Sequence, residues 1–396
     1  MINANDKRSL YVVIGGIAVF IGCLALIMLL NPFKKTVSIE SIETTKISSQ
    51  KIRVSWTDEY DDVVWQYVVK RRDVNDATNK WKIVGTLFSD READGELIVL
   101  EDELDSAEPR QYVYRVDMML SNLMGYKAEK GKEILSSNVL ICIDPGHYVG
   151  KNTVEGELSY GYAEGDFTLD IALELQQVLK EKYGIDVYLT RTSEHINIHG
   201  YRDASLDASR IALRGMRAAY KDSDLFVSLH TNANIERAHG NPTCLQPIGM
   251  NKPIILVNQI GCEDEMTISV SNSIGTNLAK ANYALRTASV EEFILSKPGQ
   301  VEEWTGKKND MLDVPGTAYY RLNAETGADY YGVLRGAAVV NKPGIIIEHG
   351  FHTVPEMRKE AMEGNLKNIW ANIDAYGIAY GFGFETELEI SDLTME

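Results

Sequence analysis

Three short apolar runs in the sequence each lead to a side chain that can bind a metal or transfer a proton. These side chains, with the runs before them, are His147 after 139–143, His230 after 225–229 and Glu348 after 344–347. Short runs rich in β-branched residues are typical of buried strands. In open α/β sheets, ligands gather just beyond the carboxyl ends of the strands. The spacing therefore predicts an active site at one edge of a sheet.

Two imidazoles and one carboxylate are a known ligand set for a catalytic zinc ion, which keeps a fourth position for water. His147 and His230 supply the imidazoles. Glu164 is the favoured carboxylate because it lies 17 residues after His147, just before an amphipathic helix that would mount it rigidly. Glu155 and Glu157 compete for the role because they lie in the same loop.

Glu348 is then free to act as the catalytic base. Zinc lowers the pKa of its bound water toward about 7, so that a carboxylate nearby can take the water's proton and pass it to a leaving amine. The chemistry predicted is amide hydrolysis with a zinc-bound water as nucleophile and without a covalent intermediate.

Other polar residues near these strands are candidates for substrate binding, namely Arg191, Asn232 and His349. Arg191 ends a predicted strand and is either structural or a ligand for a substrate carboxylate. His349 and His352 follow Glu348 closely enough to line the pocket, where they could stabilise an oxyanion. The remaining histidines are expected at the surface or in supporting positions around the site: His195, His199 and His239.

Length and charge limit the possible functions. The chain has 396 residues, enough for two or three domains, and a formal net charge of −17. This excess of negative charge argues against nucleic acid as a partner, because nucleic-acid phosphates bind to a basic protein surface. Four cysteines are too few for a disulfide scaffold. Cys244 and Cys262 flank a short segment and could pair outside a cell.

The segment from Leu10 to Leu30 is uncharged and 21 residues long. At about 1.5 Å per residue it would match a bilayer's hydrocarbon core. A cleaved signal peptide is the alternative, but the stretch is long and no small-x-small site follows. Residues 1–35 are therefore predicted to be a cytoplasmic tip and a single transmembrane anchor. Lysine or arginine flanks both ends, so charge does not orient the helix.

Residues 36–122 have the alternating pattern of short strands and predict an all-β sandwich. The tryptophan of Val54-Ser55-Trp56, the strand Tyr67-Val68-Val69 and the late strand at 112–116 resemble a fibronectin type III module. Such a module would be a spacer between membrane and enzyme. Residues 123–137 are polar and lysine-rich, and are interpreted as a linker.

From residue 138 onward the pattern is α/β: a mainly parallel or mixed sheet flanked by helices. The apolar positions after Asp166 predict a helix that ends at Gly184. Further elements are expected as a strand at 186–191, helices at 208–220, 270–285 and 355–376, and a helical turn at 334–340. The pattern weakens at 236–320, which is interpreted as an insertion in a domain of 138–386. Residues 387–396 are a tail.

Together these segments resemble the zinc-dependent N-acetylmuramoyl-L-alanine amidases of the third amidase family. The matching motifs are Ile143-Asp144-Pro145-Gly146-His147, Ala163-Glu164-Gly165-Asp166-Phe167, Tyr188-Leu189-Thr190-Arg191-Thr192, Ser228-Leu229-His230-Thr231-Asn232-Ala233 and Ile347-Glu348-His349-Gly350-Phe351. The resemblance implies zinc ligands at His147, Glu164 and His230, and a catalytic base at Glu348. It also implies a substrate, the amide between N-acetylmuramic acid and L-alanine in peptidoglycan.

Two features depart from the family pattern. Tyr148 and Val149 separate His147 from the next glycine, and 236–320 is longer than expected, which suggests a lid, a regulatory helix or a specificity loop. The expectation is a bacterial amidase on the outer side of the cell membrane, whose regulatory protein, if any, is unknown. The alternatives are a zinc peptidase that cleaves another amide, and a non-catalytic protein that binds the cell wall.

Overall fold

The computed structural model describes the chain in the following ranges: 4–30, 39, 41–57, 64–89, 96–122, 125–193, 196, 210–233, 235–237, 245–247, 253–283, 301–304, 318–384 and 386–388. The chain divides into two units, Met1–Glu40 and Ser41–Glu396.

The first unit contains one helix, α1, which spans Ala4–Leu30. Where its side chains are described, the large apolar ones are exposed, including Val19 and Phe20 at 67% each. Among the described residues, no helix meets the combined requirements of length and hydropathy for crossing a membrane.

The second unit begins with an all-β region, here called the β module (41–137). Its strands are β1 (Glu43–Ser48), β2 (Lys51–Thr57), β3 (Val64–Asp73), β4 (Lys82–Phe88), β5 (Leu97–Glu103), β6 (Gln111–Asn122), β7 (Gly125–Glu129) and β8 (Glu133–Ser137). One sheet has the order β1-β2-β5, and the other has the order β4-β3-β6-β7 with β8 also on β6. Alternating apolar residues of the strands face inward, so that Trp56 packs edge-on against Tyr67 with ring centroids 5.4 Å apart.

The segment 123–137 contains two strands where a linker was expected. Both β7 and β8 pair antiparallel with the long strand β6, one with each half of it. Polar side chains can occupy the exposed face of an antiparallel strand, and this composition made the segment look like a linker. The β module therefore continues directly into the α/β domain (138–384).

The two parts of the second unit share a polar interface. The Lys46 side chain is fully buried there, and its Nζ lies 2.6 Å from Oδ2 of Asp224 in the α/β domain. Gln111 of the β module donates a hydrogen bond from Nε2 to the carbonyl of Tyr183, at 3.0 Å. Buried polar groups need such partners, so the contact fixes the β module against the domain.

The α/β domain is built on a seven-stranded mixed sheet of order β10-β9-β11-β17-β14-β16-β15. Its strands are β9 (Leu140–Pro145), β10 (Asp186–Leu189), β11 (Leu225–Asn232), β14 (Ile254–Val257), β15 (Glu302–Glu303), β16 (Ala318–Tyr320) and β17 (Gly344–Phe351), while β12 (Ile235–Arg237) and β13 (Leu245–Pro247) form a separate hairpin. Strands β10, β9, β11 and β17 are parallel, and β14 is antiparallel to β17. The mixed sheet was expected.

Helices cover both faces of this sheet. They are α2 (Glu164–Tyr183), α3 (Ala212–Met216), α4 (Gln259–Cys262), α5 (Glu265–Tyr283), α6 (Gly332–Val339), α7 (Pro355–Glu363) and α8 (Leu366–Gly381). Helix α8 packs against α2 and α5, and α3 packs against α6. Helix α2 ends at Gly184, which has a left-handed conformation with φ 66°. The expected closing helix is two helices, α7 and α8, with a break at Gly364 and Asn365.

The segment 236–320, expected to be an insertion, contributes to the sheet itself. Strand β14 pairs with the central strand β17, and β16 and β15 extend the sheet beyond it. All four residues of β14 are buried. Helix α5 begins at Glu265, earlier than expected. The interpretations as lid, regulatory helix or specificity loop fall largely on 238–244, 248–252, 284–300 and 305–317, outside the described residues.

Candidate active site

The site lies at the carboxyl ends of three neighbouring parallel strands. His147 follows β9 by two residues, His230 lies near the end of β11, and Glu348 lies near the end of β17. His230 and Glu348 are register partners across the β11–β17 pair. Because register partners on parallel strands point to the same face of a sheet, both side chains lie on one side of it.

Close backbone packing brings His147 to this edge. The Gly146 N–H donates a hydrogen bond to the Leu229 carbonyl, at 2.9 Å. A Cβ on Gly146 would lie 2.4 Å from that carbonyl oxygen and 2.5 Å from the His230 ring, so only glycine fits here. His147 itself has a left-handed backbone, with φ 57°.

A buried ion pair holds the loop that carries His147. Arg214 of α3 donates from Nε to Oδ1 of Asp144, at 2.8 Å, and from Nη1 to the His147 carbonyl, at 3.0 Å. Ser228 donates a further hydrogen bond to Oδ2 of Asp144, at 2.8 Å. These bonds satisfy the buried Asp144 carboxylate and fix the end of β9 relative to β11.

Glu164 stands between the two histidines. It is the first residue of α2, two residues before the expected start at Asp166, and only 2% of its surface is exposed. Oε2 of Glu164 is 3.3 Å from Nε2 of His147, and Oε1 is 3.1 Å from Nδ1 of His230. The Thr231 N–H also donates to Oε1, at 3.0 Å.

One residue of the site was not found by reasoning from the sequence. Asn152 donates from Nδ2 to Oε2 of Glu164, at 2.7 Å, and its Nδ2 lies 3.2 Å from Nε2 of His147. A lone asparagine in a loop gives no pattern that could predict this contact. The competitors Glu155 and Glu157 are exposed, and neither belongs to the potential ligand group.

His147, Glu164 and His230 form a group that could hold a metal ion. Each of the three residues offers one ligand atom, and these three atoms all lie within 4.8 Å of one another. Hydrogen bonds from both histidines, which outweigh the effect of burial, hold the pKa of Glu164 well below its usual value. Burial lowers the pKa of His230. A charged carboxylate and a neutral imidazole are the forms that bind metals.

Glu348 differs from Glu164 in its electrostatic surroundings. Burial, together with the charge of Glu164, raises the pKa of Glu348 to about 8. Oε2 of Glu348 is buried and has no hydrogen-bond partner among the described residues. A buried, unpartnered carboxylate oxygen beside two imidazoles and a carboxylate fits a site that takes a metal ion and its coordinated water.

Arg191 does not face this site as a substrate ligand. It is fully buried, and it donates from Nε to the Pro145 carbonyl and from Nη2 to the Gly146 carbonyl, both at 3.1 Å. Another bond joins Nη2 to the Gly165 carbonyl. Because these bonds use its donors on the loops around His147 and Glu164, Arg191 supports the site from beneath.

His349 also faces away from the site, because neighbouring residues on a strand point to opposite faces. It is fully buried, with Nε2 2.7 Å from Oδ2 of Asp374 and Nδ1 3.0 Å from the His230 carbonyl. His349 is therefore a support for the β11 backbone, and the expected substrate contact is wrong. Asn232 is half-buried at the end of β11, and its substrate-binding role stays a prediction.

His352 lies beside the site. It stacks on Tyr162 with ring centroids 5.8 Å apart, and Nδ1 is 3.0 Å from Oγ1 of Thr231. The three histidines expected at the surface or in supporting positions, His195, His199 and His239, lie outside the described residues, as does Cys244. Cys262, which could pair with Cys244 by the sequence alone, has a free thiol.

Comparison with known proteins gives one family. The family model described as N-acetylmuramoyl-L-alanine amidase matches residues 141–380, or 240 of the 396 residues. The match covers most of the α/β domain, including His147, Glu164, His230 and Glu348. Comparison with curated proteins gives no match.

Solved structures with similar folds include two amidases. One is N-acetylmuramoyl-L-alanine amidase AmiC2 of Nostoc punctiforme, with 19% identity, a TM-score of 0.36 and coverage of 62% of this chain and 96% of that chain. Another is the catalytic domain of CwlV from Bacillus (Paenibacillus) polymyxa, with 16% identity, a TM-score of 0.37 and coverage of 61% and 95%. A human fibronectin type III domain matches with 16% identity, a TM-score of 0.18 and coverage of 26% and 84%. The family assignment does not depend on these likenesses.

Proposed function

Since the chain belongs to the N-acetylmuramoyl-L-alanine amidase family, we propose that it hydrolyses the amide between N-acetylmuramic acid and L-alanine in peptidoglycan. The observation that carries the proposal is the convergence of His147, Glu164 and His230 beside the buried carboxylate of Glu348. This arrangement suits hydrolysis of an amide, because it combines a metal-binding group with a proton acceptor.

Zinc is the metal that this ligand set suits best, because two histidines and one glutamate are an attested catalytic zinc site. His147 would bind through Nε2 and His230 through Nδ1, since these are the nitrogens that face Glu164. A zinc ion held there supplies a Lewis acid that polarises the scissile carbonyl and makes water a nucleophile near neutral pH.

Glu348 is proposed to move the proton. It accepts a proton from the attacking water as the oxygen–carbon bond forms, and it delivers that proton to the amine nitrogen of L-alanine as the carbon–nitrogen bond breaks. Burial raises the pKa of Glu348 to about 8, and a cation nearby would lower that pKa toward neutrality. A carboxyl group that titrates near the working pH is well matched to this exchange.

The test uses the full-length protein, zinc and purified peptidoglycan, with the products identified by mass spectrometry. The proposal predicts release of stem peptides that begin with a free L-alanine amine, leaving the lactyl carboxyl on the sugar. Cleavage within the peptide would instead show a zinc peptidase. Binding to peptidoglycan without any turnover would show a non-catalytic wall-binding protein.

We also propose that α1 anchors the protein in a bacterial cell membrane, with the α/β domain on the outer side. The support is the uncharged stretch from Leu10 to Leu30, and the orientation follows from where peptidoglycan lies. If this is correct, the protein remains in membranes after alkaline carbonate extraction, and protease added to intact spheroplasts digests its catalytic domain. Release of the protein by carbonate would refute the anchor.

The β module is proposed to have a fibronectin type III-like fold. Support comes from the core pair Trp56 and Tyr67, together with the two-sheet arrangement. Its interface with the α/β domain makes it a rigid mount for the enzyme, in contrast to a flexible spacer. An experimental structure of the module would decide this by its strand connections.

A further inference from the structure

The loop between His147 and α2 carries an asparagine, Asn152, that lies against two of the proposed metal ligands at once. Nδ2 of Asn152 donates to Oε2 of Glu164, at 2.7 Å, and it lies 3.2 Å from Nε2 of His147. Asn152 is exposed, whereas the side chain of Glu164 is buried. The amide therefore lies on the solvent side of the Glu164 carboxylate.

Backbone hydrogen bonds fix this loop against the start of α2. The carbonyl of Asn152 accepts from the N–H of Glu164, at 3.3 Å, and the N–H of Val154 donates to the carbonyl of Tyr162, at 3.0 Å. Asn152 has a left-handed backbone, with φ 55°. Asparagine adopts this conformation more readily than most residues, and it supplies an amide donor that glycine lacks. The loop thus holds the amide of Asn152 against the carboxylate of Glu164.

Two donors on different segments fix the orientation of the Glu164 carboxylate. The Thr231 N–H at the end of β11 donates to Oε1, at 3.0 Å, and Asn152 donates to Oε2. Apart from the two histidines, these are the donors to this carboxylate among the described residues. Without the bond from Asn152, Oε2 would be free to turn away from Nε2 of His147, which lies 3.3 Å from it.

We propose that Asn152 is a positioning residue for the metal, which acts by holding the Glu164 carboxylate in the orientation that binds zinc. The inference rests on the proposed function, because that function supplies the zinc ion. A residue that hydrogen-bonds to a metal ligand fixes the orientation of that ligand, and its loss typically lowers metal affinity about 10- to 100-fold. Asn152 therefore adds to the residues of this chain that determine zinc affinity.

The test is Asn152→Gly in the full-length protein, with the zinc Kd measured by competition with a chromogenic chelator. Glycine adopts φ 55° without strain and keeps the backbone carbonyl, so the variant loses the amide and should fold. We expect the Kd for zinc to rise about 10- to 100-fold. The unfolding free energy of the chelator-treated protein should change little, because the lost side chain is exposed.

Two variants serve as matched controls. Asn341→Gly makes the same exchange at another exposed asparagine with a left-handed backbone, φ 56°, in the turn after α6. Thr153→Val removes a hydrogen bond from Oγ1 of Thr153 to the Gly150 carbonyl, at 3.1 Å, within the loop that carries Asn152. Both variants should keep the wild-type Kd for zinc, because neither side chain contacts Glu164.

An unchanged Kd in Asn152→Gly would overturn the inference and leave the proposed zinc site intact. A Kd that rises equally in Thr153→Val would also overturn it, because the effect would then come from the loop and not from the bond to Glu164. If the wild type itself binds no zinc, the metal site of the proposed function fails, and the inference fails with it.

Discussion

His230 on β11 and Glu348 on β17 occupy paired positions of two adjacent parallel strands, yet only His230 belongs to the potential ligand group. The sheet thus places the carboxylate proposed to transfer the proton next to a proposed metal ligand, and the carboxylate that contacts the histidines comes from α2. The two glutamates have different surroundings, and their pKa values shift in opposite directions.

Replacing Glu348 should separate catalysis from metal binding. In Glu348→Gln, we expect kcat to fall about 10² to 10⁴-fold, the usual contribution of a general base, while zinc content stays near that of the wild type. Turnover on peptidoglycan and metal analysis of the same sample measure the two effects. Glu356→Gln, at an exposed position of α7, is the control and should keep full activity. Equal activity of the Glu348 variant and the wild type would remove the assigned base.

In the metal-free protein, the raised pKa of Glu348 should make the unfolding free energy depend on pH. Burial raises this pKa from 4.5 to about 8 in the folded state. The folded state therefore binds the Glu348 proton more tightly than the unfolded state does. The contribution of this proton to the stability of the fold is complete below pH 4.5 and is lost as the pH rises to 8. Relative to Glu348→Gln, the wild type should lose about 1.4 kcal/mol of unfolding free energy per pH unit in this window.

Urea unfolding of both proteins in the presence of a chelator, at several pH values, measures this difference. The comparison cancels the titrating groups that both proteins share and that do not interact with Glu348. A difference between the two proteins that does not change with pH would contradict a raised pKa for Glu348.

The buried pair of His349 and Asp374 should stabilise the domain beneath the site. His349→Leu leaves a buried carboxyl without its partner, which costs about 3–5 kcal/mol of unfolding free energy. The double variant His349→Leu/Asp374→Leu removes both polar groups and should be clearly more stable than the single variant. Denaturant unfolding measures both losses, and equal losses would show that the pair is not coupled.

The interface of Lys46 should couple the unfolding of the β module to that of the α/β domain. Lys46→Met leaves Asp224 largely buried without its cation, and we expect a loss of about 3 kcal/mol. Calorimetry should show a single transition for both parts in the wild type. Lys51→Met, in which an exposed ion pair with Glu103 is lost, should change stability little. Two separate transitions in the wild type would argue against a rigid interface.

The sequence predicted the convergence of His147, Glu164 and His230 because their signals are local. An apolar run that leads to His230 or Glu348 predicts a strand whose carboxyl end carries that side chain. Parallel strands bring their carboxyl ends to the same edge of the sheet. Glu164 was favoured over Glu155 because it lies at a helix start, where the backbone is rigid. The family match confirms the amidase assignment, and the fold confirms the mixed sheet and the N-terminal all-β region.

Other features could not be predicted because they depend on contacts between distant segments. From the sequence, Arg191 at the end of a strand was either structural or a substrate ligand, and only the fold shows that its donors meet carbonyls of two loops. The run from Ile254 to Val257 is apolar but short, and its place beside β17 is decided by packing. Asn152 contacts Glu164 from a loop and Asp374 contacts His349 from α8, and neither lies in a distinguishing sequence pattern.

Anomalous scattering from a crystal of the zinc-loaded protein tests the central claim most directly. Data collected on both sides of the zinc absorption edge should give one strong difference peak in contact with His147, Glu164 and His230, with Glu348 beside it but not bound to it. A zinc peak elsewhere, or no peak at these three side chains in zinc-loaded protein, would contradict the proposed metal site and the hydrolysis built on it.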